Sequence, residues 1–126
     1  MSTKVNMPRE VLEMILESAR RLHPKETILL LRGKASKNLI NISEVLIPPL
    51  ATYGNGFSSF KTHMLPIDFS IVGLAHSHPS GNLKPSAEDQ NHFMGKIMFI
   101  VAFPYQGKES TAVYSRMGEK LALEVT

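Results

Sequence analysis

Apolar residues recur at Val11, Leu12, Ile15, Leu16, Ala19 and Leu22, the spacing of one helical face. Glu10, Glu13, Glu17, Arg20 and Arg21 fall mostly on the other face, acids early and bases late, which suits the helix dipole. The pattern predicts a packing helix over Met7–His23, with Pro8 in its first turn and Pro24 ending it. The period then changes. Thr27-Ile28-Leu29-Leu30-Leu31 is apolar on both parities, so Glu26–Gly33 is predicted as a strand covered on both faces. Leu39–Ile47 reads as its partner, after a turn over Lys34–Asn38 and before the stop at Pro48-Pro49.

Ala51–Phe60 loses the pattern, and Gly54, Asn55, Gly56, Ser58 and Ser59 mark a loop. Lys61–Leu65 reads as a short strand before Pro66, and Ile67–Ser70 leads into a run of small and apolar residues ending in His76-Ser77-His78. A turn through Pro79, Ser80 and Gly81 precedes a predicted helix over Ser86–Lys96. Ile97–Phe103 is predicted as a buried strand stopped by Pro104, and Gln106–Ser110 as a polar turn. Thr111–Met117 and Lys120–Val125 form a closing hairpin around Gly118. Met1–Asn6 is polar and receives no element. The elements describe a mixed α/β arrangement around one sheet.

The 126 residues suit one domain with one core. The absence of cysteine rules out disulfides and thiolate metal sites, and it fits a reducing cytoplasm, the expected location. The polar first residues lack the apolar core of a signal peptide. The longest apolar run, Ile97–Phe103, is far too short to span a bilayer. Net charge is +3, and apart from Arg20-Arg21 the basic residues are scattered, so nucleic acid is not expected as a partner.

The chemistry concentrates at the second half of the chain. Residues two apart on a strand share a face, so His76 and His78 project side by side, close enough for one metal ion. Asp89, beyond the turn, is available as a third ligand. Three N/O ligands with an open fourth position describe a catalytic zinc site rather than a structural one. Ser86-x-x-Asp89 is also a helix start, with Ser86 as N-cap and a carboxylate at the third helical position.

The full spacing resembles the signature of the JAMM metalloproteases, also called the MPN+ family. His76, His78, Ser86 and Asp89 match it without a gap, with Pro79-Ser80 and Pro85 in typical places. Pro24-Lys25-Glu26 matches the step into a strand that carries the family's glutamate. Met64-Leu65-Pro66 and Tyr114-Ser115-Arg116-Met117-Gly118 are similar to further steps of small prokaryotic members. The resemblance covers almost the entire chain. It implies a single JAMM/MPN domain over residues 1–126, with a mostly antiparallel curved sheet flanked by helices, similar to cytidine deaminases in fold. It further implies one Zn²⁺ held by His76, His78 and Asp89, with Glu26 as proton carrier and Ser86 as oxyanion donor. Spacing alone does not separate Glu26 from Glu10, Glu13, Glu44, Glu88 or Glu109.

The family's usual substrate implies amide hydrolysis after the C-terminal glycine of a ubiquitin-like modifier or sulfur carrier. Tyr53, Phe57 and Phe60 on the Gly-rich loop are candidate substrate contacts, against the alternative of a mobile hairpin tip. His92 is a candidate support for the metal ligands, His63 a surface or substrate residue, and His23 a last-turn helix residue. Rival readings are a non-catalytic MPN scaffold, whose members usually lack the ligands, and a DNA-repair-associated branch. A deaminase would need H-x-E and a C-x-x-C pair, and this chain has no cysteine.

Overall fold

The computed structural model describes residues 3–48, 70–91 and 93–126. Seven strands and two α-helices lie among them: β1 (Lys4–Met7), α1 (Arg9–Leu22), β2 (Ile28–Ala35), β3 (Leu39–Leu46), β4 (Ile71–His78), α2 (Ala87–Asn91), β5 (Ile97–Ala102), β6 (Thr111–Ser115) and β7 (Lys120–Val125). The strands close into a barrel in the order β1-β3-β2-β4-β5-β6-β7. Among the described residues, four of its seven pairings are antiparallel, with β2 between β3 and β4 and β6 between β5 and β7. Parallel pairings join β4 to β5 and join β1 to both β3 and β7. The fold is thus mixed α and β around one curved sheet.

Helix α1 buries Val11, Leu12, Ile15, Leu16 and Ala19, the stripe anticipated from periodicity. These side chains meet Leu29, Leu31, Ala75, Phe99, Val101 and other residues of the sheet's inner face. Each large aliphatic chain so buried contributes roughly 1.5–3 kcal/mol. The helix start has no side-chain cap. Instead the Arg9 N–H donates to the Thr126 carbonyl at 2.8 Å, which satisfies one of the first-turn donors.

The sheet's outer face carries two smaller apolar clusters. Met98, Ile100, Ala112 and Tyr114 pack with Leu83 and Phe93. Ile28, Leu30 and Leu74 pack with Leu46, Ile71 and Met94. Both β4 and β5 are therefore covered on two faces, and both read as nearly continuous apolar runs.

Three expectations need correction. The helix predicted over Met7–His23 runs only over Arg9–Leu22, and Met7 belongs instead to β1, whose two parallel pairings close the barrel. Strand β2 extends to Ala35, so the turn to β3 is shorter than Lys34–Asn38. The helix predicted over Ser86–Lys96 ends at Asn91. Gly95 takes φ +77°, outside the helical region, and the Lys96 N–H donates to the Val72 carbonyl at 2.7 Å, which returns the chain to the sheet.

Backbones also approach closely beside β4. A Cβ on Gly73 would collide with the Ile97 carbonyl of β5, so only glycine fits there.

Candidate metal and catalytic centre

Strand β4 delivers both histidines at its C-terminal end, on the face shared with Leu74. His76 pairs across with Ile28 of β2 and alongside Ile100 of β5. The antiparallel register continues past the end of β2, because the Ser77 N–H donates to the Thr27 carbonyl at 3.1 Å. The same register places Glu26 opposite His78. Residues directly opposite in an antiparallel pair have Cβ atoms about 4.5–5.5 Å apart.

The turn after β4 is held by its own polar groups. Gly81 N–H donates to the His78 carbonyl at 3.1 Å, and Asn82 N–H to Ser80 Oγ at 3.3 Å. Lys84 N–H donates to Asn82 Oδ1 at 3.0 Å. The Tyr114 hydroxyl of β6 donates to the Leu83 carbonyl at 2.9 Å and ties the turn to the sheet. The turn then delivers Ser86 and α2. Ser86 Oγ accepts the Asp89 N–H at 3.0 Å, and Asp89 Oδ2 accepts the Ser86 N–H at 2.9 Å. This reciprocal pair is a capping box with aspartate at the third helical position.

The cap aims Asp89 at both histidines. Its Oδ2 lies 2.9 Å from His78 Nε2 and its Oδ1 3.4 Å from His76 Nδ1. His76 and Asp89 are each 2% exposed and His78 8%, so charge on any of them needs a partner. His78 Nδ1–H donates to the Asn82 carbonyl at 2.7 Å. That bond fixes the ring and leaves Nε2 as a lone pair in the neutral imidazole. A lone pair facing a carboxylate oxygen at 2.9 Å requires a cation between them, either a proton or a metal.

In the metal-free state the cation is the proton. Burial opposes a charge on His78, but the hydrogen bonds to Asp89 and to Asn82 outweigh it and raise its pKa above 6.5. Burial likewise works against the Asp89 carboxylate, yet the bonds from His78 and from the Ser86 N–H lower its pKa to about 2. Glu26 moves the other way. Burial raises its pKa, the charges of Asp89 and Glu88 add to the rise, and His78 opposes it.

The donor set suits zinc: two imidazoles, one carboxylate and a second hydrogen bond on His78 that sets its orientation. Among the described residues no three such groups stand in a ready-made cation geometry. The two rings face different oxygens of the one carboxylate, His76 Nδ1 at 3.4 Å from Oδ1 and His78 Nε2 at 2.9 Å from Oδ2. His78 and Asp89 are drawn closer by the proton they share.

A cleft of about 410 Å³ opens beside this cluster, lined by Glu26, His78, Ser86, Glu88 and Asp89 among others. Thus Glu26, His78, Ser86 and Asp89 meet at one opening, with His76 buried behind. Tyr53, Phe57, Phe60, His63 and His92 lie outside the described residues. His23 caps the C-terminal end of α1, as its sequence position suggested.

A motif this long, assembled at one cleft of one sheet, calls for comparison with known proteins. The family model described as prokaryotic homologs of the JAB domain matches residues 8–115. The chain belongs to the JAMM/MPN family. A probable metalloprotease of Haloferax volcanii is 30% identical to it, over 96% of this chain and 79% of that protein. A solved structure described as a metalloprotease-like JAMM zinc site in the proteasome and signalosome is 32% identical. It superposes with a TM-score of 0.67, covering 100% of this chain and 99% of that one. A JAB1/MPN domain protein from Archaeoglobus fulgidus gives the same identity of 32% and TM-score of 0.67, over 99% and 98% of the two chains. A Desulfitobacterium hafniense protein at 19% identity and TM-score 0.70, covering 97% and 92%, shares the fold.

The JAMM/MPN motif leaves other contacts of this centre unread. The Asn82 carbonyl acts through the main chain, so no residue type marks it. Ser77 stands between the histidines, and its hydroxyl accepts the Thr27 N–H at 2.7 Å. Tyr114 was legible only as a hairpin residue.

Proposed function

We propose that the protein is a zinc-dependent isopeptidase that hydrolyses the amide bond after the C-terminal glycine of a ubiquitin-like modifier or sulfur-carrier protein. The observation that carries this reading is the convergence of His76, His78 and Asp89 with Ser86 and Glu26 at one cleft. The metalloprotease relative and the zinc-site structure lend support.

His76, His78 and Asp89 would hold one Zn²⁺. When bound, zinc lowers the pKa of a water to about 7 and polarises a carbonyl. Glu26, opposite His78, takes the proton of the attacking water and delivers it to the leaving amine. In the metal-free protein burial raises the pKa of its carboxyl. Ser86 has a hydroxyl hydrogen to spare, since its Oγ is the acceptor in the cap. It donates that hydrogen to the oxyanion of the tetrahedral intermediate.

An extended diglycine tail would lie along the cleft, with Tyr53, Phe57 and Phe60 as the contacts proposed for the modifier. Incubating the zinc-loaded protein with ubiquitin-like fusions and weighing the products tests this. Cleavage directly after the diglycine supports it. Intact fusions with a fully zinc-loaded protein would instead favour a partner-binding MPN module.

A further inference from the structure

Glu26 lies outside any strand, since β2 begins at Ile28. It is nonetheless fixed on both sides along the chain. Downstream, the Thr27 carbonyl accepts the Ser77 N–H at 3.1 Å, while the Thr27 N–H donates to Ser77 Oγ at 2.7 Å. In a regular hydrogen-bonded antiparallel pair both bonds run between main chains. Here a hydroxyl replaces one carbonyl, and Ser77 is fully buried.

Upstream, the Tyr105 hydroxyl and His23 Nδ1 are hydrogen-bonded at 3.2 Å. The His23 ring stacks on Phe103 at 4.7 Å and meets the Tyr105 ring edge-on at 5.6 Å. Tyr105 is 1% exposed and holds φ +58°, a region uncommon for residues other than glycine. Its phenol is raised in pKa by burial and by the charge of Glu26, so the two side chains are within electrostatic reach. Phe103 follows directly from β5, and its N–H donates to the His78 carbonyl at 3.1 Å. Between the His23 and Thr27 anchors lie only Pro24, Lys25 and Glu26. One anchor, Ser77, stands on β4 between the two histidines, and the other, Tyr105, follows the end of β5, the strand paired with β4.

We infer that the Ser77 hydroxyl and the Tyr105–His23 pair are positioning residues, which hold the Glu26 carboxylate over the His76–His78–Asp89 cluster. The inference rests on the proposed proton-carrying role of Glu26. A carboxylate on a short, otherwise irregular segment sweeps a wide arc, and a displacement of about 1 Å costs on the order of 100-fold in rate. Two tethers, one from the histidine strand β4 and one from the segment after β5, remove that freedom without either touching substrate.

The test uses the zinc-loaded full chain and a ubiquitin-like fusion ending in diglycine. Ser77→Ala and Tyr105→Phe are each made alone and in a Glu26→Gln background. Each alone should lower kcat roughly 10- to 100-fold with KM and zinc content unchanged. In the Glu26→Gln background neither should lower the residual rate further, because residues acting through one group are not additive. Ser77→Thr, which keeps the hydroxyl, should restore the rate. The Thr27 amide should exchange with solvent faster in Ser77→Ala than in the parent, a readout independent of turnover.

Tyr105→Phe removes one oxygen and keeps the ring packing, so it carries the test if Ser77→Ala fails to fold. Equal proportional losses with and without Glu26, or loss of zinc in both variants, would overturn the anchors alone. Full activity of Glu26→Gln by itself would overturn the proton-carrier reading and the anchors with it.

Discussion

His78 and Asp89 share one short hydrogen bond at 2.9 Å, while the opposite nitrogen of His78 donates to the Asn82 carbonyl at 2.7 Å. The imidazole is therefore a double donor in the metal-free protein, and zinc must displace a proton to bind it.

Zinc uptake should accordingly weaken as pH falls below neutrality, with a proton released for each ion bound. His78→Ala should lose most of its zinc while remaining folded, because the core lies between α1 and the sheet rather than at this rim. Elemental analysis with a thermal melt checks both. Near-stoichiometric zinc in His78→Ala would remove it from the ligand set.

The metal-free protein should have a bell-shaped stability profile. Asp89 has a folded pKa near 2 against an ordinary 3.8, so its contribution is present above 3.8 and is lost as pH falls through about 2. His78 has a raised folded pKa, so its contribution is present below 6.5 and is lost as pH rises through the folded value. The pair thus stabilises most between about pH 4 and 6.5. Thermal melts of chelator-treated protein across pH 3–9 should show that maximum. A profile still rising from pH 6 to 9 would contradict the shared proton.

Ser86→Ala removes an acceptor for the Asp89 N–H and a donor into the cleft. Loss of the cap should cost about 1 kcal/mol of stability. Loss of the oxyanion donor should lower turnover roughly 100- to 1000-fold. Near-normal turnover with a lowered melting temperature would leave Ser86 only the structural role.

Glu26→Gln keeps size and much of the hydrogen bonding but removes the base. Turnover should fall about 10²–10⁴-fold with zinc content intact. Loss of zinc in Glu26→Gln would mark Glu26 as a metal ligand instead.

Gly95→Ala tests the return from α2 to β5. The residue holds φ +77°, and a Cβ would meet the Val72 carbonyl at 2.5 Å. Destabilisation of at least 1–3 kcal/mol is the expected order. A melting temperature equal to the parent's would show that the segment relaxes freely.

Much of this architecture was legible because it rests on long patterns. The apolar stripe of α1 covers a whole helix, and β4 and β5 are continuous apolar runs. The strand β1 was not legible, because only Val5 and Met7 of its four residues are buried and apolar. The extent of α2 was overread for a related reason. Phe93 and Met94 continue an apolar pattern, but they pack on two different outer-face clusters after the helix has ended. At the centre, His76, His78, Ser86 and Asp89 stand out as side chains at a fixed spacing. The Asn82 carbonyl does not, because any residue would supply it. The Tyr105–His23 contact joins residues 82 positions apart, which no local pattern encodes.

Gly73 has a consequence for how the chain finds this arrangement. A slip of β4 by one residue would send His76 and His78 into the apolar interior and turn Ser77 outward. It would also bring Val72 or Leu74 to the point where the Ile97 carbonyl leaves no space for a Cβ. The missing side chain thus acts as a key, admitting one alignment of β4 against β5 and blocking its nearest competitors. Errors of alignment are rejected during folding by steric exclusion, three residues before the first histidine and without any help from the metal.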